Sequence, residues 1–178
     1  MGSKKPKKLE DTIIVAGHPR SGTSLACQLV ESAGVEFPTD FEGDEYNKEG
    51  YYEMELSKKV SNDLMKNAMT DENIEELNKV LKRLNNTKNT SGLKIVRLPA
   101  IFFYRHLTDN LKAVLIYRNP SDSKASMYRR GISQFSVSWK ENNNALIAAY
   151  ENIENSIIIS YESLFKQETE KKLKKLGL

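Results

Sequence analysis

Ile13-Ile14-Val15-Ala16-Gly17-His18-Pro19-Arg20-Ser21-Gly22-Thr23-Ser24, followed at once by Leu25-Ala26-Cys27-Gln28-Leu29-Val30, decides the fold of this 178-residue chain. The run from Thr12 to Ala16 is apolar without alternation after its first residue, the pattern of a strand covered on both faces. Two glycines then bound a short loop, and an apolar-periodic helix is expected from Thr23 to Ala33, closed by Gly34 as its C′ residue. A strand, a glycine-bounded turn and a helix start in that order direct unpaired N–H groups and the positive end of the helix dipole at one point. Such a point binds anions.

The residues inside the loop refine that reading. Gly17-x-x-x-x-Gly22 has the spacing of a phosphate-cradling loop, Thr23 and Ser24 add hydroxyl donors, and Arg20 adds a charge-assisted, bidentate-capable cation. The lysine that follows the second glycine in loops binding nucleoside triphosphates is replaced by Thr23. Phosphoryl transfer also needs Mg²⁺, held by a strand-end Asp. The apolar run Leu111 to Tyr117 ends instead in Arg118-Asn119. A cation where a metal ligand would stand predicts a metal-free site in which protein cations balance the ligand.

Outward from the loop, apolar runs alternate with helical periodicity. Strands are expected at Leu93 to Val96, Leu111 to Tyr117 and Ser156 to Ser160. Helices are expected from Glu53 to about Met69, from Asp71 behind a Thr70 start, around Phe102 to Leu107, after a cap at Ser121 or Asp122, from Gln134 to Ile153, and from Gln167 to Leu176. Strands joined by helical crossovers imply a single three-layer α/β domain, its central sheet mostly parallel, with ligands beyond the C-terminal strand ends. Residues 1–11 are expected as a flexible basic tail and 12–178 as the domain. Val35 to Tyr52 reads as a long irregular connection rich in acids and aromatics, among them Phe41, Asp44, Glu45, Tyr46, Tyr51 and Tyr52. A loop of that length in a compact domain is functional more often than filler.

Bulk properties bound the partners. With 39% hydrophobic and 29% charged residues and a net charge of +3, the chain has the composition of a soluble protein without a strong nucleic-acid field. One cysteine, no membrane-length apolar segment and no secretory h-region point to a reducing, cytoplasmic setting without stable membrane insertion. The oligomeric state is open.

Together these stretches resemble the sulfotransferase family that uses 3′-phosphoadenosine 5′-phosphosulfate (PAPS). Pro19-Arg20-Ser21-Gly22-Thr23-Ser24 is similar to its 5′-phosphosulfate loop in an arginine form. Arg118-Asn119-Pro120-Ser121-Asp122 with Ser126 is similar to its 3′-phosphate motif, with Asn119 where Asp is more usual. Asn47-Lys48-Glu49-Gly50-Tyr51-Tyr52-Glu53, Arg97-x-Pro99 and Tyr161-Glu162-Ser163-Leu164 resemble lesser motifs of small microbial members.

The resemblance implies a P-loop-like architecture and a nucleotide held by His18, Pro19, Arg20, Ser21, Gly22, Thr23, Ser24, Arg118 and Ser126. It implies sulfuryl transfer without metal to a hydroxyl, or second to an amine, of a small-molecule, glycan or lipid acceptor. Arg20 would stabilise the developing charge. For the base, His18 and His106 are the two histidines; His18 is expected to shape the loop and His106 to pack or lie at the surface. A carboxylate is the better candidate, with Glu53 first because it starts a helix, and Asp44 and Glu45 as rivals. Two other functions stay open: a P-loop nucleotide or small-molecule kinase, and a nucleotide- or anion-binding module without turnover.

Overall fold

The computed structural model describes residues 5–45, 47–48, 50–66, 70–134 and 137–178. At its centre lies Thr12–Gly17 (β1), in which all six residues are buried. β1 pairs in parallel with Ser91–Ile95 (β2) on one side and with Lys112–Tyr117 (β3) on the other. Asn155–Ser160 (β4) pairs in parallel with β3, giving the order β2-β1-β3-β4. The chain passes from β1 to one neighbour and then back across β1 to the other. The C-terminal end of β1 is therefore the place where connections diverge, and a crevice opens there.

The two-residue period of the strands divides the core. Ile14, Ala16, Leu93, Ile95, Ala113 and Leu115 meet Glu55–Met65 (α2), Asp71–Asn85 (α3), Ile101–Arg105 (α4) and Trp139–Asn152 (α6) through Val60, Leu64, Leu77, Leu81, Ile101 and Leu146. Ile13, Val15, Val114, Ile116, Ile157 and Ile159 face the other way. They meet Thr23–Ser32 (α1) and Gln167–Lys175 (α7) through Ala26, Cys27, Val30, Leu173 and Leu176. Cys27 is fully buried there, and burial pushes its thiol well above the ordinary value.

Local chemistry sets the helix ends, in several places differently from expectation. Thr70 caps α3 as its sequence suggests, accepting from the Asn73 N–H at 3.2 Å. Pro120–Tyr128 (α5) is capped by Asn119, not by Ser121 or Asp122: Asn119 Oδ1 accepts the Ser121 N–H at 2.9 Å, and Pro120 fills the first helical position. α6 starts only at Trp139, where Ser138 and Glu141 close a capping box. α2 starts at Glu55, whose N–H donates to Asp40 Oδ2 at 2.9 Å, so its cap comes from fifteen residues upstream. The expected end of that helix at Met69 lies outside the described residues.

The basic segment read as a tail has contacts from Lys5 on. Leu9 is buried in the core, its N–H donates to the Leu107 carbonyl, and Asn78 and Asn85 of α3 bond the backbone of Lys5, Lys7, Lys8 and Glu10. No helix among the described residues is long and apolar enough to cross a membrane.

The long connection is a closed loop. Its two arms meet where the Asp40 N–H donates to the Glu53 carbonyl at 2.9 Å, and Arg83 of α3 pairs with Asp40 at 2.6 Å. Beyond this clasp Phe41, Asp44, Asn47, Tyr51 and Glu53 share one cavity with the loop that follows β1.

Candidate active site

β1 delivers the chain to the loop through Gly17, where a Cβ would stand 2.6 Å from both the Ile116 carbonyl oxygen and Ser21 Oγ. Gly22, at φ 95°, is the N-cap of α1, and a Cβ there would lie 2.5 Å from the Tyr161 ring. Neither position has room for a side chain. Between them Arg20 takes φ 65°, a left-handed conformation costing a non-glycine residue roughly 1–2 kcal/mol. Strain of that kind persists where surrounding contacts over-determine it.

Those contacts join the loop to the stretch that begins at Arg118. Arg20 Nε donates to Ser126 Oγ of α5 at 3.1 Å, and Arg118 Nη1, just past β3, donates to the Arg20 carbonyl at 3.2 Å. The Arg118 guanidinium also lies 3.9 Å from the centroid of the Tyr161 ring, in the turn after β4. Burial, then the neighbouring positive charge of Arg130 and, more weakly, of Arg118, pushes the Arg20 guanidinium below its ordinary value. Ser21 Oγ and Arg118 Nε are buried with no hydrogen-bond partner among the described residues. Of these residues Arg118 lines the adjoining cavity, whereas Ser21 and Ser126 are buried outside its lining.

The loop opens on a cavity of about 770 Å³. Arg20, Lys58, Lys94, Arg97, Arg118 and Arg130 contribute charge to its lining, set, among the described residues, against the carboxylates of Asp44 and Glu53. Pro19, Gly22, Thr23 and Ser24 line it as well. His18 does not. It turns to a smaller hollow with Trp139 and Asn142, its Nδ1 2.9 Å from the Pro19 carbonyl; an oxygen there requires Nδ1 to carry the hydrogen. Burial lowers the His18 pKa, with the Pro19 bond opposing.

Glu53 does not start α2. It precedes Met54, the extended N-cap residue of α2, and follows Tyr52 at φ 56°. That backbone turn sends Tyr52 into the core, where its hydroxyl donates to Glu31 at 2.8 Å and its ring packs edge-on against Phe37. The Glu53 side chain is 12% exposed and pairs with Lys94 at 2.9 Å and Lys58 at 3.2 Å. Burial alone would raise its carboxyl; Lys94 and then Lys58 outweigh burial and bring it below the ordinary value. Of the rival acids, Asp44 lines the cavity but is engaged by Arg130 at 3.1 Å and by the Tyr51 hydroxyl. Glu45 is exposed and outside the cavity lining. Phe41 and Tyr51 line the cavity, Tyr52 does not, and Tyr46 lies outside the described residues. His106 is exposed at the end of α4.

Sequence reasoning missed Lys94 and Arg130. Lys94 was hidden within an apolar strand, although a lysine flanked by Leu93 and Ile95 in a sheet interior is a signal in itself. Arg130 acts across the cavity mouth, its guanidinium 5.2 Å from the centroid of the Tyr51 ring, a contact made only by folding. Among the described residues no three His, Cys, Asp or Glu side chains are grouped as a metal site would require.

The sulfotransferase domain family matches residues 10–152 of this chain. Among solved structures, a mouse sulfotransferase complexed with PAP is similar over 97% of this chain and 60% of its own, with TM-score 0.51 and 15% identity; that likeness is one of fold. Retinol dehydratase in complex with androsterone and inactive cofactor PAP gives TM-score 0.46 and 15% identity, over 95% of this chain and 59% of its own. An uncharacterized protein from Eubacterium ventriosum gives TM-score 0.47 and 17% identity, over 96% and 99%. The chain thus spans about 60% of the length of the first two. No curated protein matches the sequence.

Proposed function

Because the chain belongs to the sulfotransferase domain family, we propose that it transfers a sulfuryl group from PAPS to an acceptor hydroxyl, without metal and with Glu53 as the base. The observation that carries this reading is the bond from Arg20 to Ser126 across 106 residues of sequence, which joins the glycine-bounded loop to the stretch that begins at Arg118, with Arg20 and Arg118 both lining one cavity and Ser126 buried behind them. A ligand with two separate phosphoryl centres suits that geometry. The orphaned Arg118 Nε of a cavity-lining residue, and the glycine cradle a Cβ would fill, support the fit.

In this reading the Thr23 and Ser24 hydroxyls, the N-terminal N–H groups of α1 and Arg20 hold the 5′-phosphosulfate. Ser126 Oγ accepts from Arg20, which leaves its own hydrogen to donate to a 3′-phosphate beside Arg118. When bound, the nucleotide supplies the sulfuryl group and leaves with added negative charge on its 5′-phosphate. Arg20 and the helix N-terminus are already oriented to stabilise that charge, so little reorganisation is needed. Glu53, ionised at neutral pH, takes the acceptor's proton. Phe41, Val96, Tyr51 and Ile132 give the lining apolar surface on which an acceptor body can rest.

The test is binding of adenosine 3′,5′-bisphosphate, the product nucleotide, followed by thermal unfolding without Mg²⁺. A raised Tm is expected, together with incorporation of label from [³⁵S]PAPS into a hydroxyl compound from a broad panel. A shift only with ATP and Mg²⁺ would refute the reading in favour of a kinase. Binding with no transfer to any acceptor would leave a nucleotide-binding module.

A further inference from the structure

Thr23 stands where the lysine of a triphosphate loop would be, and the structure brings a lysine to that neighbourhood from another strand. Lys94 is the fourth residue of β2. The alternation that buries Leu93 and Ile95 among α2 and α3 sends Lys94 to the opposite face, against the first turn of α1. Its side chain is 4% exposed. Its Nζ lies 2.9 Å from Ser24 Oγ, 2.8 Å from the Tyr51 carbonyl and 2.9 Å from Glu53 Oε1. An ammonium has three N–H bonds, and three acceptors take them.

This coordination has two consequences. Ser24 Oγ accepts from Lys94, so the Ser24 hydrogen points away from it, and Ser24 lines the cavity. The Tyr51 carbonyl and the Glu53 carboxylate belong to the loop that forms the far wall, so one ammonium ties the anion loop to the segment carrying the base. We propose that Lys94 is a positioning residue that couples the two halves of the site, presenting the Ser24 hydroxyl to the bound anion and fixing Glu53 as an ionised carboxylate toward the acceptor. The inference rests on the sulfuryl-transfer reading and adds to it a residue that acts through Ser24 and Glu53.

The coupling has a charge logic. In the resting site Lys94 is neutralised by Glu53. When the acceptor's proton moves onto Glu53, the ammonium loses its counter-charge while negative charge grows at the loop, about one serine side chain away. The positive field released by protonating the base then acts on that charge. The loop lysine is thus replaced by one that is fully exerted only as the proton moves.

The groups facing Glu53 are Lys94 from β2, Lys58 from α2, Arg97 just after β2 and, more distantly, Cys27 of α1. Lys94 and Lys58 favour its ionised form and outweigh the opposing effect of burial, and Lys58 is 42% exposed and correspondingly screened.

The full chain, labelled with ¹³C-carboxyl glutamate and assigned with Glu53→Gln, allows the Glu53 titration to be followed by NMR in the wild type, Lys94→Met, Lys94→Gln and Lys58→Met. Calorimetry gives the affinity for adenosine 3′,5′-bisphosphate in the same variants and in Ser24→Ala. The Glu53 midpoint should rise by about one pH unit or more in both Lys94 variants and by less in Lys58→Met. Nucleotide affinity should fall about tenfold in Lys94→Met, and adding Ser24→Ala to it should cost little more. Lys94→Gln keeps a donor without the charge, and serves where the methionine variant does not fold. An unmoved Glu53 titration in both Lys94 variants, or effects of Lys94→Met and Ser24→Ala that simply multiply, overturns the proposal. A wild type that does not bind the nucleotide overturns the donor reading itself. That outcome is distinguishable from normal binding with an unmoved titration, which removes only the role of Lys94.

Discussion

Replacing Glu53 with Gln separates its chemical role from its structural one. Gln keeps an oxygen to accept from Lys94 but removes the charge, so an ammonium that is 4% exposed faces only neutral acceptors: the amide, Ser24 Oγ and the Tyr51 carbonyl. Breaking a buried pair outright costs about 3–5 kcal/mol. With three acceptors kept, the expected loss is about 2 kcal/mol, and the Lys58 contact adds little because that side chain is 42% exposed. For a domain of this size that corresponds to a Tm lower by roughly 4–8 °C at pH 7.

The loss depends on pH in a definite direction. Glu53 titrates lower in the fold than in the unfolded chain, so its ionised form adds stability above the unfolded carboxylate range, and that contribution disappears as pH falls through the folded value. The wild-type and Glu53→Gln curves should therefore converge in acid. In the [³⁵S]PAPS assay transfer should fall about 10²–10⁴-fold while affinity for adenosine 3′,5′-bisphosphate changes much less. Asp44→Asn, run alongside, should retain transfer within a few-fold. Full activity in Glu53→Gln would remove it as the base, and a stability difference unchanged down to acid pH would refute the charge coupling to Lys94.

Three further outcomes follow from the loop and its surroundings. Arg118→Met should weaken adenosine 3′,5′-bisphosphate more than tenfold by calorimetry, and Ser126→Ala by less, because the first removes a charge-assisted donor and the second a neutral hydroxyl. Gly22→Ala must hold φ 95° with a Cβ 2.5 Å from Tyr161. It should lower stability by about 1–3 kcal/mol in urea unfolding and lose nucleotide binding. Cys27, buried with its thiol pushed up, should react with Ellman's reagent only at the rate of unfolding in native buffer, and at once in denaturant.

Much of the frame was readable before folding. The apolar runs at 13–16 and 157–159 carry no alternation, which is a direct signature of strands covered on both faces. The glycine spacing and the residues around Arg20, Arg118 and Ser126 are local in sequence. The structure left their order intact and brought them together. Two of the misjudged points trace to a partner distant in the chain. α2 starts two residues after Glu53 because Asp40 supplies its cap, and Leu9 is tied into the core by α3 and α4. Tyr52 leaves the cavity because its own φ is positive, while Tyr51 remains.

The sequence alone determined an α/β chain with a glycine-bounded strand–turn–helix corner at the end of its first strand, because strand period, glycine spacing and helix-start chemistry act over a few residues. Tertiary structure alone decided how the charges are paired. It set Lys94 between Ser24 and Glu53, Arg130 against Asp44 and Tyr51, and Arg20 against Ser126. Burial and ion pairing act through space, and the energy of a charge depends on what surrounds it rather than on what precedes it in the chain.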